Sequence, residues 1–530
     1  MAGLKAARDA KTGEALPVAG GSLTLTLEPF RYRLVRLWKE ERGRPGRLSS
    51  GRRCAIIQAY LFGMLIERNE MKIRMFSMFA LAVASVFAGE LDNGLLRGTT
   101  DKRAIDYAPG EPMTFTLKLD GVKKLPEGQW FIQWERFGDD GKKCGERVPA
   151  DLAKPVVIKT SLDRPGFVRV RAQLVDGKGQ VYRKKYTGDT TTPEGKRAQN
   201  EFERRDRRIF FDGGAGVQID KLVSYPEPKD FDAFWAKQAD RLKLVPIKAD
   251  RIELPCSNPK ARLYAVQIAC AGLRPVTGYL SVPKAVEQGA TFPCRLETHG
   301  YSGDTCRHDA PGWARDNEIV LNINAHGQKL PAFGATEADR KALRWEIRSH
   351  DCSYAFDAKQ NEDPEVAYFN GMVLRVKRAL QYLKTLPGWN GKDLIASGGS
   401  QGGLQTIWAA GCGEGLTRAE SGITWCCDMY TSGKLRKDPA QNLASDGWYI
   451  PWTDAMGYYD AANFAKRIPK TCTTVITRAG LGDYCCPPTG LAKMYNNIPG
   501  NKKIWWVQGS THGYVPPEPN QHFWIDDTAK

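Results

Sequence analysis

Two kinds of periodicity divide this chain. Between residues 90 and 211 apolar side chains recur at every second position: Met113-Thr114-Phe115-Thr116-Leu117-Lys118-Leu119 stops at Asp120-Gly121, and Val168-Arg169-Val170-Arg171-Ala172-Gln173-Leu174 stops at Asp176-Gly177. A period of two buries one face of a strand and wets the other, and Asp-Gly pairs end it in tight turns. Trp130-Phe131-Ile132 and Pro155-Val156-Val157-Ile158 fall between these runs at similar spacing. Short antiparallel strands forming an immunoglobulin-like β-sandwich are therefore expected over 90–211.

Beyond residue 212 the pattern changes. Arg262-Leu263-Tyr264-Ala265-Val266-Gln267-Ile268 and Val276-Thr277-Gly278-Tyr279-Leu280-Ser281-Val282 read as a leading β-pair, and 292–296, 318–323, 394–397, 473–477 and 504–507 as further strands. Helical patterns intervene, the clearest over 371–386, where Val373, Val376, Leu380 and Leu383 share one face. Alternating strands and helices over about 300 residues predict an α/β domain whose mostly parallel sheet is covered on both faces. In such a domain the site lies at the carboxyl ends of the strands. The charged stretch 196–208 and the glycine-rich Asp212-Gly213-Gly214-Ala215-Gly216 mark the joint, which gives 212–526 as the second domain.

The region before residue 90 has a different character. Met71-Lys72-Ile73-Arg74 is basic, 75–84 is apolar, and Val86-Phe87-Ala88 supplies small residues, the pattern of a secretory signal peptide over 71–88. That apolar run is short for a bilayer, so stable membrane insertion is not expected. Residues 1–70 lack sustained periodicity and read as an extension that is mis-assigned or disordered, with Met71 as the expected initiator. This changes the meaning of the charge. The whole chain carries +17, but residues 1–88 hold 15 Lys+Arg against 7 Asp+Glu, and without them the balance is +9, spread along the chain. No motif that reads DNA or RNA accompanies it, so nucleic acid is not an expected partner. Export implies a secreted or periplasmic location and permits disulfides among the twelve cysteines beyond the signal. No C-x-x-C occurs, and the adjacent pairs Cys426-Cys427 and Cys485-Cys486 lack zinc-ligand spacing, so no structural metal is expected.

Candidate chemistry centres on Leu394-Ile395-Ala396-Ser397-Gly398-Gly399-Ser400-Gln401-Gly402-Gly403, an apolar strand leading through a glycine-bracketed serine into a helical pattern. Small neighbours allow the strained turn that holds a serine out at a sheet end, with a helix N-terminus beside its oxygen. A serine hydroxyl needs a histidine base, and the histidine needs an acid to orient it. Six histidines are available: His299, His308, His326, His350, His512 and His522. In the order nucleophile, acid, base, each on a loop after a late strand, Asp483 follows 473–477 and His512 follows 504–507. Ser400, Asp483 and His512 are thus the candidate triad. The oxyanion hole needs two backbone N–H groups. Gln401 follows the nucleophile, and Tyr301 lies in Thr298-His299-Gly300-Tyr301-Ser302-Gly303 directly after an earlier strand. A metal cluster of His299, Asp304, His308 and Asp309 is the competing reading of that loop.

Phe231-Asp232-Ala233-Phe234-Trp235, the His299-Gly300-Tyr301 loop, the Gly-Gly-Ser400-Gln-Gly-Gly elbow, the segment Tyr459-Asp460-Ala461-Ala462-Asn463-Phe464-Ala465-Lys466-Arg467-Ile468, and Gly480-Leu481-Gly482-Asp483 with Pro487-Pro488 occur in that order. Over residues 218–520 the chain thereby resembles the acetyl xylan esterase and cephalosporin-C deacetylase family. The resemblance implies an α/β-hydrolase fold, removal of acetyl groups from sugar hydroxyls, no cofactor and no metal, and the triad and oxyanion residues named above. An acetylated carbohydrate is the implied partner, and a homo-oligomer is left open. Two motifs depart from the family: His326-Gly327-Gln328 stands where Arg-Gly-Gln is usual, and His512-Gly513 where His-Glu is. Trp448, Tyr449, Trp452, Tyr458 and Tyr459 form an aromatic-rich insertion that either stacks on sugar rings or packs a lid. Another carboxylesterase, a peptidase of this fold, or a glycan-binding protein on a retired hydrolase scaffold are the alternatives.

Overall fold

In the computed structural model the alternating segments become strands with their apolar faces turned together. The structure describes residue 92, residues 94–302 and 313–528, and before them only the backbone of short strands between Ala6 and Lys72. The extension expected over 1–70 and the signal peptide expected over 71–88 otherwise lie outside the described residues, as do Asp304, His308 and Asp309.

The first seven strands from residue 95 onward are β1 (Leu95–Thr100), β2 (Met113–Asp120), β3 (Trp130–Gly138), β4 (Lys143–Pro149), β5 (Val156–Thr160), β6 (Gly166–Asp176) and β7 (Phe210–Val217). They pair antiparallel in two sheets, ordered β5-β2-β1 and β4-β3-β6-β7. Strand β2 shows the cause: Met113, Phe115, Leu117 and Leu119 are buried, while Lys118 and Asp120 between and after them are exposed. Ile132, Val168 and Val170 from the other sheet belong to the same core.

The segment expected as a joint is not a linker. Asp212 to Gly216 lie inside β7, all of whose residues are buried, and β7 pairs with β6 from Gly166↔Val217 to Gln173↔Phe210. Its glycines answer to close approach: a Cβ on Gly213 would lie 2.1 Å from Gln508 Oε1, and one on Gly214 would lie 2.4 Å from Val168 O. The charged stretch before it is mostly helix α1 (Pro193–Arg204), opened by Thr192, whose side chain accepts a bond from Gly195 N–H.

The second region alternates α2 (Phe231–Lys243), β8 (Ala249–Leu254), β9 (Ala261–Ile268), β10 (Val276–Pro283), β11 (Phe292–Glu297), β12 (Ile319–Ile323), α3 (Glu337–Glu346), α4 (Tyr368–Leu383), β13 (Trp389–Gly399), α5 (Gln401–Gly411), β14 (Arg418–Gly422), α6 (Ala461–Ala465), β15 (Thr473–Gly480), α7 (Pro488–Asn497), β16 (Lys502–Val507) and β17 (His522–Asp526). One ten-stranded sheet results, in the order β8-β9-β10-β12-β11-β13-β14-β15-β16-β17. Strands β12, β11 and β13 to β16 are parallel, and the outer strands join antiparallel. Central strands are buried on both faces, as parallel sheets require; every residue of β12 is buried. Helix α4 turns Met372, Val373, Val376, Leu380 and Leu383 into the same core. Among the described residues no helix is long and apolar enough to cross a membrane.

Candidate active site

Ser400 stands where β13 gives way to α5, with φ 59° and ψ −118°. That positive φ is strained for a serine, and it is held from both sides: Ser400 N–H donates to Gly422 O at 2.8 Å, and Ser400 O accepts from Leu404 N at 3.0 Å and Trp425 N at 3.1 Å. The flanking glycines have a steric reason. A Cβ on Gly398 would meet Thr298 Oγ1 at 2.3 Å and one on Gly402 would meet Thr298 O at 2.7 Å, because the elbow is pressed against the loop after β11.

That same pressure brings the two oxyanion candidates together. Thr298 Oγ1 donates to Gly402 O at 2.8 Å, and Gln405 Nε2 donates to His299 O at 3.4 Å, so the 298–301 loop is tied to the first turn of α5. The N–H of Gln401 opens that helix, and among the described residues neither it nor the N–H of Tyr301 has a hydrogen-bond partner. Both ring nitrogens of His299 are engaged within the fold. Its Nε2 accepts from Ala325 N–H at 2.9 Å, which leaves Nδ1 to donate to Gly300 O at 2.7 Å, and burial holds its pKa below the ordinary value.

Asp483 is fully buried on the loop after β15, and its Oδ2 lies 3.0 Å from His512 Nδ1 on the loop after β16. Its other oxygen, Oδ1, accepts from Cys485 N and Cys486 N at 3.0 and 2.9 Å, so both lone-pair faces are occupied and the carboxylate cannot rotate. Burial opposes a charge on His512, but the bond to Asp483 and the nearby Cys485 thiol outweigh it and raise its pKa. The two loops are joined directly, Gly482 N–H donating to Ser510 O at 3.0 Å. All three triad candidates therefore lie at the carboxyl ends of β13, β15 and β16 in one sheet. Among the described residues no hydrogen bond joins Ser400 Oγ to His512. Trp425, whose backbone N–H holds Ser400 O, lines a narrow cavity together with Cys485 and Cys486.

Two contributions were not visible in the sequence. Arg478, at φ 54° inside β15, donates from Nη2 to His512 O at 3.1 Å and so fixes the backbone that carries the ring. It sits where the β15–β16 register shifts between Ile476 and Ala479. The second comes from the β-domain: a Cβ on Gly482 would lie 1.9 Å from Asp212 O of β7, and the Arg169 guanidinium of β6 lies 4.3 Å from the Tyr484 ring centroid. The loop bearing Asp483 is thus built against the first domain.

Of the aromatic insertion, Tyr449 and Tyr459 are buried structural residues. Tyr458 packs on Phe234 at 4.4 Å, and Trp452 on Tyr225 at 5.4 Å. Only Trp448 faces the site: it is 36% exposed, stacks on Trp425 at 5.0 Å and meets Tyr301 edge-on at 4.6 Å. His326, in the departing motif, is fully buried, with Nε2 2.6 Å from Ser302 O and Nδ1 2.8 Å from the Tyr368 hydroxyl.

A family model described as acetyl xylan esterase matches residues 218–526. The chain is 27% identical over 339 residues to the acetyl esterase Axe7A of Xylanibacter ruminicola, which spans 61% of this chain and 74% of that protein. Among solved structures it is similar to an acetyl xylan esterase from Paenibacillus sp. R4, at TM-score 0.46 and 22% identity, covering 56% of this chain and 94% of that one. It is also similar to acetyl xylan esterase 1 from Thermoanaerobacterium sp. JW/SL YS485, at TM-score 0.45 and 18% identity, covering 57% and 94%. With the family model matching more than half of its length, and a mixed sheet carrying a serine elbow, the chain belongs to the acetyl xylan esterase family and is a carboxylic ester hydrolase.

Proposed function

We propose that the protein is an exported serine esterase that removes acetyl groups from sugar hydroxyls, with Ser400 as nucleophile, His512 as base and Asp483 as its orienting acid. The observation that carries this reading is the 3.0 Å bond from the buried Asp483 to His512 Nδ1, on the sheet edge that also presents Ser400. With Nδ1–H committed to the carboxylate, Nε2 is the nitrogen free to take the Ser400 proton. Ser400 Oγ then attacks the acetyl carbonyl, and the amides of Tyr301 and Gln401 receive the developing oxyanion. His512 returns its proton to the leaving sugar hydroxyl, and water, deprotonated by the same ring, releases acetate from the acyl-enzyme.

Residues 90–217 are read as an immunoglobulin-like sandwich, since β7 runs on to Val217, and 218–526 as the catalytic α/β-hydrolase domain, with export directed by 71–88. N-terminal sequencing of the exported protein tests the last point, the expected first residue lying just after Ala88. Trp448 is read as a platform for a pyranose ring. Trp448→Ala should raise KM for an acetylated oligosaccharide by a few-fold to about tenfold, consistent with ~0.5–1.5 kcal/mol for an aromatic contact, and leave KM for a small acetyl ester nearly unchanged. The deciding experiment is Ser400→Ala. It should abolish release of acetate and labelling by a fluorophosphonate while leaving the thermal transition in place, and undiminished hydrolysis would refute the assignment.

A further inference from the structure

We propose that Cys485, Cys486 and His512 form a binding site for a thiophilic d10 cation, Zn²⁺ or Cd²⁺, and that filling it stops the esterase; the second half rests on the reading of His512 as the base. Two adjacent cysteines have no metal-ligand spacing of their own, and the sequence gives no reason to join them to a histidine 26 residues away. The fold does so: donor atoms of all three residues lie within 4.8 Å of one another. Cys486 Sγ is 3.7 Å from His512 Nδ1. A tetrahedral ion bonded at ~2.3 Å to sulfur and ~2.0 Å to nitrogen needs these donors roughly 3.5 Å apart, so a small adjustment suffices.

The surroundings suit a soft ion. Cys485 is half-buried and His512 is partly exposed, which opens a way in, while Cys486 is buried behind them. Cys426, Cys427 and Met429 line the same cavity as the two ligand cysteines, so three further sulfur-bearing residues stand beyond the site. Loop geometry restrains the pair as well, since both cysteine amides are bound to Asp483 Oδ1.

Occupation and catalysis exclude each other at one atom. His512 Nδ1 now faces Asp483 Oδ2 at 3.0 Å, and it cannot hold both a carboxylate through its proton and an ion through its lone pair. On binding, the two thiols give their protons to water and the ring proton shifts from Nδ1 to Nε2. The ring then presents N–H to Ser400 and cannot accept its proton.

The test is titration of the reduced full chain with Cd²⁺, following the ultraviolet thiolate-to-cadmium absorption and, in parallel, hydrolysis of a chromogenic acetyl ester. One equivalent of absorption should appear in step with a loss of hydrolysis of roughly 100-fold or more, the least expected when a general base is removed, and EDTA should reverse both. Cys485→Ser and Cys486→Ala should each remove the absorption, and should raise the Cd²⁺ needed for half-inhibition by more than the roughly 10–100-fold that losing an outer-shell partner costs. Cys144→Ser, at an exposed thiol on β4, should change neither. Absorption that persists in Cys485→Ser, Cd²⁺ uptake with hydrolysis undiminished, or no uptake by the reduced protein would each overturn the proposal. Should the chain hydrolyse no acetyl ester while the absorption behaves as expected, the ion site stands and the esterase reading fails.

Discussion

Ser400 is costly to place: its φ of 59° lies where only glycine sits easily, and the structure holds it there through Gly422 O and Trp425 N. That strain announced itself in the sequence through Gly398 and Gly402, because no other residue leaves room beside Thr298. Asp483 and His512 were legible for a related reason, each being a polar residue on a short loop after an apolar run. Asp483→Asn should keep the loop but present the wrong hydrogen-bond partner to Nδ1, so kcat should fall by about 10⁴, with KM little changed. Arg478 was not legible. Nothing in Thr477-Arg478-Ala479 marks a residue whose value depends on a register shift two strands from the elbow. Because it acts on the His512 carbonyl rather than the ring, it is a positioning residue. Arg478→Ala should lower kcat by roughly 10–100-fold through misplacement of the imidazole, with KM nearly constant in steady-state assays.

Elements with strong internal periodicity were read correctly, and those whose character comes from their neighbours were not. The helix expected over 371–386 is α4 (Tyr368–Leu383), because four apolar residues on one face leave little choice. Strand β14 lies in the middle of the sheet yet reads Arg-Ala-Glu-Ser-Gly. Its inward positions are Ala419 and Ser421 because α5 crosses close above: a Cβ on Gly403 would meet Ser421 Oγ at 2.8 Å. Its outward Glu420 is paired with Arg295 at 2.8 Å. The loop carrying His326 shows the same dependence. With Tyr368 as donor to Nδ1, His326 Nε2–H donates to Ser302 O, one residue beyond the oxyanion candidate Tyr301. Burial, partly offset by that carbonyl, lowers its pKa to about 3. The unfolded chain would take up a proton near pH 6.5 where the folded one does not. Stability from this group is therefore complete above pH 6.5 and is lost as pH falls toward 3, on the order of a few kcal/mol. Urea titrations at intervals across that range should show the decline in the parent and a flatter profile in His326→Gln.

At the scale of the whole molecule, the first domain packs directly against the loop that bears Asp483. Arg169 of β6 is buried and makes a two-point bond to Asp212 of β7 at 2.8 and 2.7 Å, reaches Asp446 at 2.9 Å, and lies over the ring of Tyr484, the residue after Asp483. Asp139, after β3, binds Arg436 Nη2 at 2.7 Å, and that guanidinium lies 5.2 Å from the same Tyr484 ring. The acid-bearing loop is thus clasped by cations anchored on β-domain carboxylates. A second group of contacts reaches a different segment: Arg97 of β1 donates to Pro517 O and Pro519 O at 2.9 and 2.7 Å. These two sets separate support of the site from simple adhesion of the domains. Arg169→Ala strands a buried carboxylate and should destabilise the protein by about 3–5 kcal/mol. Assayed well below its melting temperature, it should also show reduced kcat, because Tyr484 and with it Asp483 lose their backing. Arg97→Ala removes bonds at a partly exposed edge and should cost roughly 1–3 kcal/mol without touching kcat. If both variants lost stability and neither lost turnover at a temperature where each is folded, the β-domain would be adhering to the hydrolase domain and not shaping its site.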